Sequence, residues 1–211
     1  MLDVRQLGTV AYPEAWDLQK RLVAERAAGR IPDTLLLLEH PHVITCGRGF
    51  RERSLASTRH PVFHIERGGD VTYHGPGQLV GYPIVALRER GLTIGAWLRL
   101  LEDRLIAALA EFDLPGERLK GFTGVWCRGR KLASIGVAVR SWIAFHGFAL
   151  NVTTDLAQAA GVYPCGLEPG QLSTMSEAAG RTIALGQARA AVARAFEARL
   201  GVGECPTLQM L

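Results

Sequence analysis

The stretch RGGDVTYHGPGQ, from Arg67 to Gln78, constrains the fold of this chain more than any other part of it. Four of its residues are glycines and one is a proline, and the apolar run LVGYPIVAL follows directly. Glycine weakens the interior of a helix or strand, because it has no side chain to pack and loses the most conformational freedom on folding. We therefore expect a backbone that turns sharply or closely approaches another group, just before a buried strand.

The periodicity of the apolar residues predicts strands that are grouped between helices. Pro13 opens a first helix, and Thr93 caps a second one whose apolar positions recur at helical intervals as far as Phe112. TLLLLEH, HVITCG and LVGYPIVAL are typical of short buried strands.

The central part of the chain has the alternating period of strands, and the C-terminal part is helical again. GVWCRG and RKLASIGVAVR predict a hairpin around Arg128 and Gly129, and WIAFHGFALNV predicts a third strand. Thr174 and Glu177 form a capping-box pattern at the start of a later helix. Because strands and helices do not alternate one by one, we predict an α+β fold, with one mixed β-sheet flanked by helices.

Composition limits the class of protein. The chain has 211 residues, of which 48% are hydrophobic and 21% charged, so we expect one domain over residues 1–211. No apolar run reaches the about 18 residues needed to span a bilayer, and the N-terminal MLDVRQLG does not resemble a secretory signal. We therefore expect a cytoplasmic protein without a membrane partner.

The net charge of +4 indicates acidic partners but does not name them. The basic residues are scattered and never form a block of five, so charge alone leaves both nucleic acid and an acidic protein open.

Metal and nucleotide motifs are not found in this sequence. The densest set of metal-binding residue types is His40, His42 and Cys46, with His60 and His64 beyond, and its spacing matches no common zinc pattern. The four cysteines form no CxxC pair. The sequence contains neither the GxxxxGK[ST] phosphate loop nor the GxSxG serine elbow. We predict no metal and no cofactor.

Cys165, in VYPCGL, is the best candidate for a nucleophile. Pro164 fixes the backbone direction before the thiol and Gly166 allows close approach after it, although a cysteine in an ordinary turn has the same local sequence. A free thiol has a pKa of about 8.5 and needs a nearby cation to react at neutral pH. The candidate cations are Lys131, Arg67 and His74; Lys131 begins the strand LASIGVAV, which aims it along the sheet.

The combination of these segments resembles the lipoyl(octanoyl) transferase family. The resemblance is carried by RGGDVTYHGPGQLVGYPI, and in order along the chain by LEHPHVITCGRG, RKLASIGV, FHGFALNV and YPCGL. It extends from about Leu35 to about Gly180. The segment LEPGQLSTMSE after the cysteine is looser than the family pattern.

The resemblance implies a fold, a reaction and partners. The fold is that of the catalytic core of biotin and lipoate protein ligases. The reaction moves an octanoyl group from octanoyl-acyl carrier protein to a lysine of lipoyl domains, which belong to 2-oxoacid dehydrogenase complexes and to the H protein of the glycine cleavage system. Nucleic acid is not among these partners, and no cofactor takes part.

The resemblance also implies roles for particular residues. Cys165 corresponds to the family's acyl-thioester cysteine, and Lys131 to the lysine that lowers its pKa. The expected substrate-binding residues are those of three segments, namely Arg67, Gly68, Gly69, Asp70, Val71, Thr72, Tyr73 and His74, then Ser134, Ile135 and Gly136, and finally Gly147, Phe148 and Ala149. We expect the glycines to form a slot of bare backbone for the acyl chain, with N–H groups free to donate hydrogen bonds.

Two alternatives remain at this point. One is an ATP-dependent lipoate or biotin ligase of the same fold, which activates a free acid and needs no nucleophilic cysteine. The other is a non-catalytic module that binds an acyl carrier or a nucleic acid. The PCG motif and the absence of a nucleotide loop argue against the ligase, whereas the non-catalytic module predicts salt-sensitive binding and no covalent adduct.

Overall fold

The structure is a computed structural model that describes residues 1–163, 167 and 169–200, without the side chains of residues 169 and 199. The described strands and helices follow in chain order: β1 (Asp3–Thr9), α1 (Tyr12–Ala27), β2 (Thr34–Glu39), β3 (Val43–Cys46), β4 (Val62–His64), β5 (Val71–His74), β6 (Gln78–Ala86), α2 (Ile94–Ala110), β7 (Gly116–Glu117), β8 (Gly124–Cys127), β9 (Arg130–Arg140), β10 (Ile143–Asn151), α3 (Met175–Ala179) and α4 (Leu185–Leu200).

The main sheet has seven strands in the order β1-β2-β6-β10-β9-β8-β7. It is mixed, because β1 pairs parallel with β2 whereas the other pairs are antiparallel. Helix α1 covers one face of the sheet and helices α2 and α4 cover the other. The central strands β6 and β10 are buried along their whole length, since both of their faces are covered. The predicted α+β class, with a mixed sheet between helices, is confirmed.

The prediction of a single sheet is wrong. A second sheet of three strands, in the order β4-β3-β5, lies beside the first. Its strand β5 comes from within the glycine-rich block, whose glycines lie on either side of it. The strand β4 has only three residues and none of them is buried, so its sequence shows no hydrophobic periodicity. Strand β1 also lacks a clear hydrophobic periodicity. It lies at the edge of the large sheet, and all of its residues are exposed or half-exposed.

The helix boundaries confirm the capping signals. The Thr93 hydroxyl accepts a hydrogen bond from the Ala96 N–H at 3.1 Å at the start of α2. At the start of α3, Thr174 and Glu177 form the complete reciprocal capping box. Among the described residues, no helix is long and apolar enough to cross a membrane.

A bulge in β9 decides which residues share a face of the sheet. Val125 of β8 pairs with Ala133, but the next residue, Trp126, pairs with Lys131, so Leu132 is an extra residue in the strand. Leu132 and Ala133 both join the core beneath α2 and α4. Lys131 is thereby turned to the opposite face, the one shared by Ser134 and Gly136. Regular alternation would have placed its ammonium in the hydrophobic core.

The core beneath α2 generates a stability prediction. Leu101 is fully buried there, whereas Leu119 is 46% exposed. Leu101→Ala removes packed methyl groups and leaves a cavity, so we expect the free energy of unfolding to fall by about 2–5 kcal/mol. Leu119→Ala is the matched control and should change it by about 0.5 kcal/mol or less. Urea denaturation of both variants checks this, and equal losses would contradict the assignment of Leu101 to the core.

Candidate active site

The glycine-rich block lies directly on the backbone of β9. The Gly68 N–H donates to the Val137 carbonyl at 2.8 Å, and a Cβ added to Gly136 would come within 2.9 Å of the Gly68 carbonyl oxygen. Gly69 has a φ of 86°, in the left-handed region that favours glycine. The predicted close approach of backbone to backbone is therefore found here. The prediction of free N–H donors is wrong at Gly68, whose N–H binds the strand.

Arg67 fastens this block to the smaller sheet. Its Nη2 donates to the carbonyl oxygen of Thr45 at 2.7 Å and to the hydroxyls of Thr45 and Thr72 at 3.0 Å each. Its Nη1 donates to the Gly68 carbonyl at 3.0 Å. The guanidinium is buried, and these contacts hold the backbone of the block in place.

Lys131 and two of the three predicted substrate-binding segments line one cavity of about 480 Å³. Its wall contains Lys131, the residues 67–72, and the residues 134–136. Three apolar side chains also line it, two at the start of α2 and one in the loop between β7 and β8, namely Ile94, Leu98 and Phe122. No local sequence pattern marks these three residues as part of a site, because their spacing indicates only a helix face and a loop.

Lys131 is buried, with 5% of its surface exposed. Its Nζ lies 4.9 Å from the centre of the Trp126 ring, a cation–π distance. The side chain also crosses Gly124, where a Cβ would lie 2.8 Å from the Lys131 Cε. A buried lysine is rare in proteins, so burial distinguishes Lys131 from an ordinary surface lysine.

A second, smaller cavity of about 30 Å³ adjoins the first. The two share Arg67, Thr72 and the residues 134–136 as a common wall, and the residues 147–149 line the smaller one. The remaining lining includes Tyr12, His74, Tyr82 and His146. Of these four, only His74 belongs to the predicted substrate-binding set. Tyr12 and Tyr82 come from separate elements and carry no shared local motif.

Two predicted residues turn their side chains away from the cavities. The Phe148 ring lies against Gly81 and stacks on Phe196 of α4 at 5.5 Å, within the core. The Tyr73 hydroxyl hydrogen-bonds His42 at 2.7 Å, within the small sheet's own cluster. Both follow from the alternation of side chains along a strand, since His74 and Ala149, their neighbours, line the smaller cavity.

A chain of hydrogen bonds runs from Arg67 through the interior. The Thr45 hydroxyl accepts from Arg67 and lies 3.2 Å from His74 Nε2, while His74 Nδ1 lies 2.8 Å from Gln78 Oε1. Gln78 donates to Asn151 at 3.0 Å, and Asn151 donates to the Ser173 carbonyl at 3.2 Å. The Ser173 N–H in turn donates to the Lys131 carbonyl at 3.0 Å. The chain thus connects the glycine block with the strand position of Lys131.

The histidines of this interior are neutral. Burial lowers the pKa of His74 to about 3 and that of His40 to about 4. His40 Nδ1 lies 2.7 Å from the Val10 carbonyl and its Nε2 lies 2.8 Å from the Tyr82 hydroxyl. Because a carbonyl only accepts, Nδ1 carries the proton and Nε2 accepts from the tyrosine.

His146 occupies a strained position in β10. Its φ of 54° lies in the left-handed region, where a residue other than glycine is uncommon. Burial lowers the pKa of His146, although the Glu66 carboxylate, 3.6 Å from Nε2, acts in the opposite direction. Burial would raise the pKa of Glu66, but His146, a backbone N–H and the Trp16 indole outweigh burial and lower it to about 2.

Cys165 and Cys205 lie outside the described residues, so the predicted role of Cys165 as the nucleophile stays a prediction. Cys46 and Cys127 are free and buried, and burial raises the pKa of both thiols. His40, His42, Cys46, His60 and His64 form no metal site: within the described ranges, no group of three or more His, Cys, Asp or Glu residues is placed to hold a metal ion.

Comparison with known proteins identifies the family. Residues 11–197 match the lipoyl protein ligase A/B catalytic domain. The octanoyltransferase of Geobacter sulfurreducens is 49% identical over 195 residues, which cover 92% of this chain and 83% of the relative. The chain therefore belongs to the lipoyl protein ligase A/B family, and within it to the octanoyltransferases, the acyltransferases of lipoate biosynthesis.

Solved structures agree on the fold. A bipartite lipoate protein ligase from Thermoplasma acidophilum has a TM-score of 0.68 and 15% identity, covering 95% of this chain and 85% of that chain. The biotin protein ligase of Aquifex aeolicus has a TM-score of 0.52 and 14% identity, covering 94% and 68%. At such low identity the likeness concerns the fold alone. It confirms the predicted ligase-like core and does not favour the ligase alternative over the octanoyltransferase function.

The neutral buried histidines generate a prediction on pH. A histidine with a pKa of about 4 in the folded state and about 6.5 when unfolded lowers the free energy of unfolding as the pH falls from 6.5 towards 4. The loss approaches about 1.4 kcal/mol per pH unit for each such histidine. His40→Gln should reduce the slope of the free energy of unfolding against pH, between pH 6 and pH 5, by the amount that corresponds to about one bound proton.

His64 is exposed, so His64→Gln is the matched control and should leave the slope as in the wild type. Urea denaturation at several pH values measures both. The comparison of the two variants isolates His40, because carboxyl groups with lowered pKa values, such as Glu66, titrate below this window. An unchanged slope in His40→Gln would show that His40 is not buried as a neutral ring.

Proposed function

We propose that this octanoyltransferase works through a covalent octanoyl thioester on Cys165, formed with the help of Lys131. The donor is octanoyl-acyl carrier protein, and the acceptors are lysines of the lipoyl domains of 2-oxoacid dehydrogenase complexes and of the glycine cleavage H protein. The reaction takes place in the cytoplasm, in a single catalytic domain over residues 1–211. The observation that carries the proposal is the burial of Lys131 in a cavity walled by residues 67–72 and 134–136.

The described neighbours of Cys165 support this proposal from both sides of the chain. Two residues before it, Tyr163 lines a cavity of about 380 Å³ together with Gly69 and Asp70, which also line the cavity of Lys131. Seven residues after it, Leu172 forms a β-bridge with Lys131. The described residues on both sides of Cys165 thus contact the wall of the Lys131 cavity or Lys131 itself, which supports the proposal.

A neighbouring ammonium would stabilise the Cys165 thiol in its thiolate form. A cation at about 4 Å, in a medium with an effective dielectric constant of about 20, attracts a thiolate by up to roughly 4 kcal/mol. Such an attraction would favour the thiolate form and so lower the pKa of Cys165. The burial of Lys131 limits solvent screening and keeps the attraction effective.

The two half-reactions together return Cys165 and Lys131 to their starting protonation states. The Cys165 thiolate attacks the donor carbonyl, the bond to the carrier sulfur breaks, and the Lys131 ammonium gives its proton to the leaving carrier thiolate. The acceptor amine then attacks the octanoyl thioester and transfers a proton to the neutral Lys131. Amide formation releases the Cys165 thiolate beside the restored ammonium. The kinetics are ping-pong, as expected for a covalent intermediate.

The thioester generates the first test of this mechanism. Mixing the protein with octanoyl-acyl carrier protein, without an acceptor, should add one octanoyl group, detected by intact-protein mass spectrometry. Cys165→Ala should remove the adduct, because no thiolate is then available at this position. Cys127→Ala is the matched control and should keep it, since burial raises the pKa of Cys127. An adduct that persists in Cys165→Ala would overturn the assignment of the nucleophile.

Lys131 is tested through the reactivity of the thiol. Lys131→Ala should slow the alkylation of Cys165 by iodoacetamide at pH 7 by about tenfold and move its pH midpoint upward, since the thiolate loses its cation. Peptide mapping after the reaction assigns the modification to Cys165. Lys120→Ala, at an exposed lysine, is the control and should react like the wild type.

Lys131→Arg keeps a cation and should retain more thiol reactivity than Lys131→Ala, but it cannot accept the amine proton, because arginine stays protonated. It should therefore still form the octanoyl adduct, because the leaving carrier thiolate can take its proton from water, but it should transfer the octanoyl group to the acceptor slowly. Identical alkylation rates in the wild type and Lys131→Ala would contradict the role of Lys131.

A further inference from the structure

The segment that precedes Cys165 in the chain is paired with the loop between β3 and β4. The Tyr163 N–H donates to the Ser54 carbonyl oxygen at 2.9 Å, and the Ala56 N–H donates to the Gly161 carbonyl oxygen at 2.9 Å. Tyr163 is the second residue before Cys165. The backbone is therefore held by hydrogen bonds up to two residues before the proposed nucleophile.

This pairing is buried at its centre and closely packed at one end. Val162 is 3% exposed, forms a β-bridge with Leu55 and belongs to the apolar cluster of the small sheet. Gly161 has a φ of 84°, in the left-handed region, and a Cβ added to it would overlap the Ser57 carbonyl oxygen. The position of residues 161–163 thus depends on the loop with which they pair.

Asp70, from the glycine-rich block, holds the same loop. One of its carboxylate oxygens accepts a hydrogen bond from the Ser54 hydroxyl at 2.5 Å, and the other accepts from the Arg51 N–H at 3.3 Å. Asp70 is 8% exposed and Ser54 is 4% exposed. Hydrogen bonds to a charged acceptor are the stronger ones, and burial keeps water from replacing them. Ser54 therefore binds Asp70 through its hydroxyl and Tyr163 through its carbonyl.

The sequence predicts Asp70 as a substrate-binding residue, and it lines the Lys131 cavity. Both of its carboxylate oxygens nevertheless have partners in the loop. An ionised carboxylate only accepts hydrogen bonds, so it cannot donate to the carbonyl oxygen of a thioester. These contacts favour a role of Asp70 in holding the loop over a role in binding the acyl donor.

We propose that Asp70 is a positioning residue: through Ser54 it fixes residues 161–163, and with them the start of the segment that carries the nucleophile. The proposal rests on the proposed function, because it takes Cys165 as the group to be positioned. A reacting group that is misplaced by about 1 Å loses up to about 100-fold in rate. Loss of the Asp70 contact should therefore slow the acylation of Cys165 without weakening the binding of the donor.

The experiment measures single-turnover acylation by octanoyl-acyl carrier protein at several donor concentrations, followed by intact-protein mass spectrometry. Ser54→Ala and Asp70→Ala should each lower the maximum rate by about tenfold and change the half-saturating donor concentration by less than about twofold. If Asp70→Ala instead raises the half-saturating concentration and leaves the maximum rate unchanged, Asp70 binds the donor and the proposal is rejected.

Asp70→Asn distinguishes positioning from an effect of the negative charge. The asparagine carbonyl accepts from the Arg51 N–H, and its amide donates to the Ser54 hydroxyl oxygen, because a hydroxyl both donates and accepts. This variant should keep the maximum rate within about twofold of the wild type. A loss as large as that of Asp70→Ala would show that the charge acts directly and would reject the positioning role.

Thr34→Val is the matched control for Ser54→Ala. The Thr34 hydroxyl is also buried and donates to the Pro32 carbonyl at 3.1 Å, outside the lining of the Lys131 cavity. The variant should be acylated at the wild-type rate. A rate as low as that of Ser54→Ala would show that the loss of any buried hydroxyl slows the reaction, which would reject the specific role of Ser54.

Gly161→Ala displaces the segment without changing Asp70, so it tests the proposal even if Asp70→Ala does not fold. It should also lower the maximum rate by about tenfold. Gly91→Ala has the same backbone strain, at a φ of 63°, but its Cβ meets open space, so it should keep the wild-type rate. An unchanged maximum rate in Gly161→Ala would overturn the assignment of this pairing to the positioning of Cys165.

Failure of the positioning role is distinguishable from failure of the proposed function. In the first case the wild type forms the octanoyl adduct on Cys165 and the Ser54 and Asp70 variants form it at the same maximum rate. In the second case the wild type itself forms no adduct on Cys165.

Discussion

The contact between the glycine-rich block and the backbone of β9 is the constraint on which the rest of the site depends. Gly68 hydrogen-bonds Val137, and Gly136 lies too close to Gly68 to allow a side chain. The small sheet and the large sheet meet at this contact. A side chain at Gly136 would come within 2.9 Å of the Gly68 carbonyl oxygen and push the two sheets apart, so Gly136 serves the junction of the sheets before it serves any ligand.

Around this junction the protein buries an unusual number of polar groups and satisfies most of them internally. Arg67, Thr45, His74 and Gln78 form a connected series of hydrogen bonds, and burial keeps the pKa of His74 at about 3. A network whose members satisfy one another is rigid, because moving one member leaves a buried partner unsatisfied. Rigidity of this kind suits a site that must hold reacting groups in a fixed relation.

Lys131 and the residues 147–149 line different cavities of the site. Lys131 lies at the start of β9, where the bulge at Leu132 turns its side chain out of the core. The strained His146 lies further along the same wall, on β10, next to a cavity without lysine. The shared fold of the ligases shows that the same scaffold accommodates other chemistry, since function resides in the side chains placed on it.

The sequence by itself determined the helices, the central strands and the family, because these depend on local periodicity, capping residues and an unusual glycine motif. It also singled out Lys131 as a strand lysine and the three glycine-containing segments as parts of one site. Only the tertiary structure decided that Lys131 is buried, because a bulge changes the face of a strand without changing its composition. The same holds for Tyr12 and Tyr82, which join the site through contacts across α1 and β6 that leave no local pattern. The second sheet likewise exists only through pairing between distant segments, which short and half-exposed strands do not reveal in their own residues.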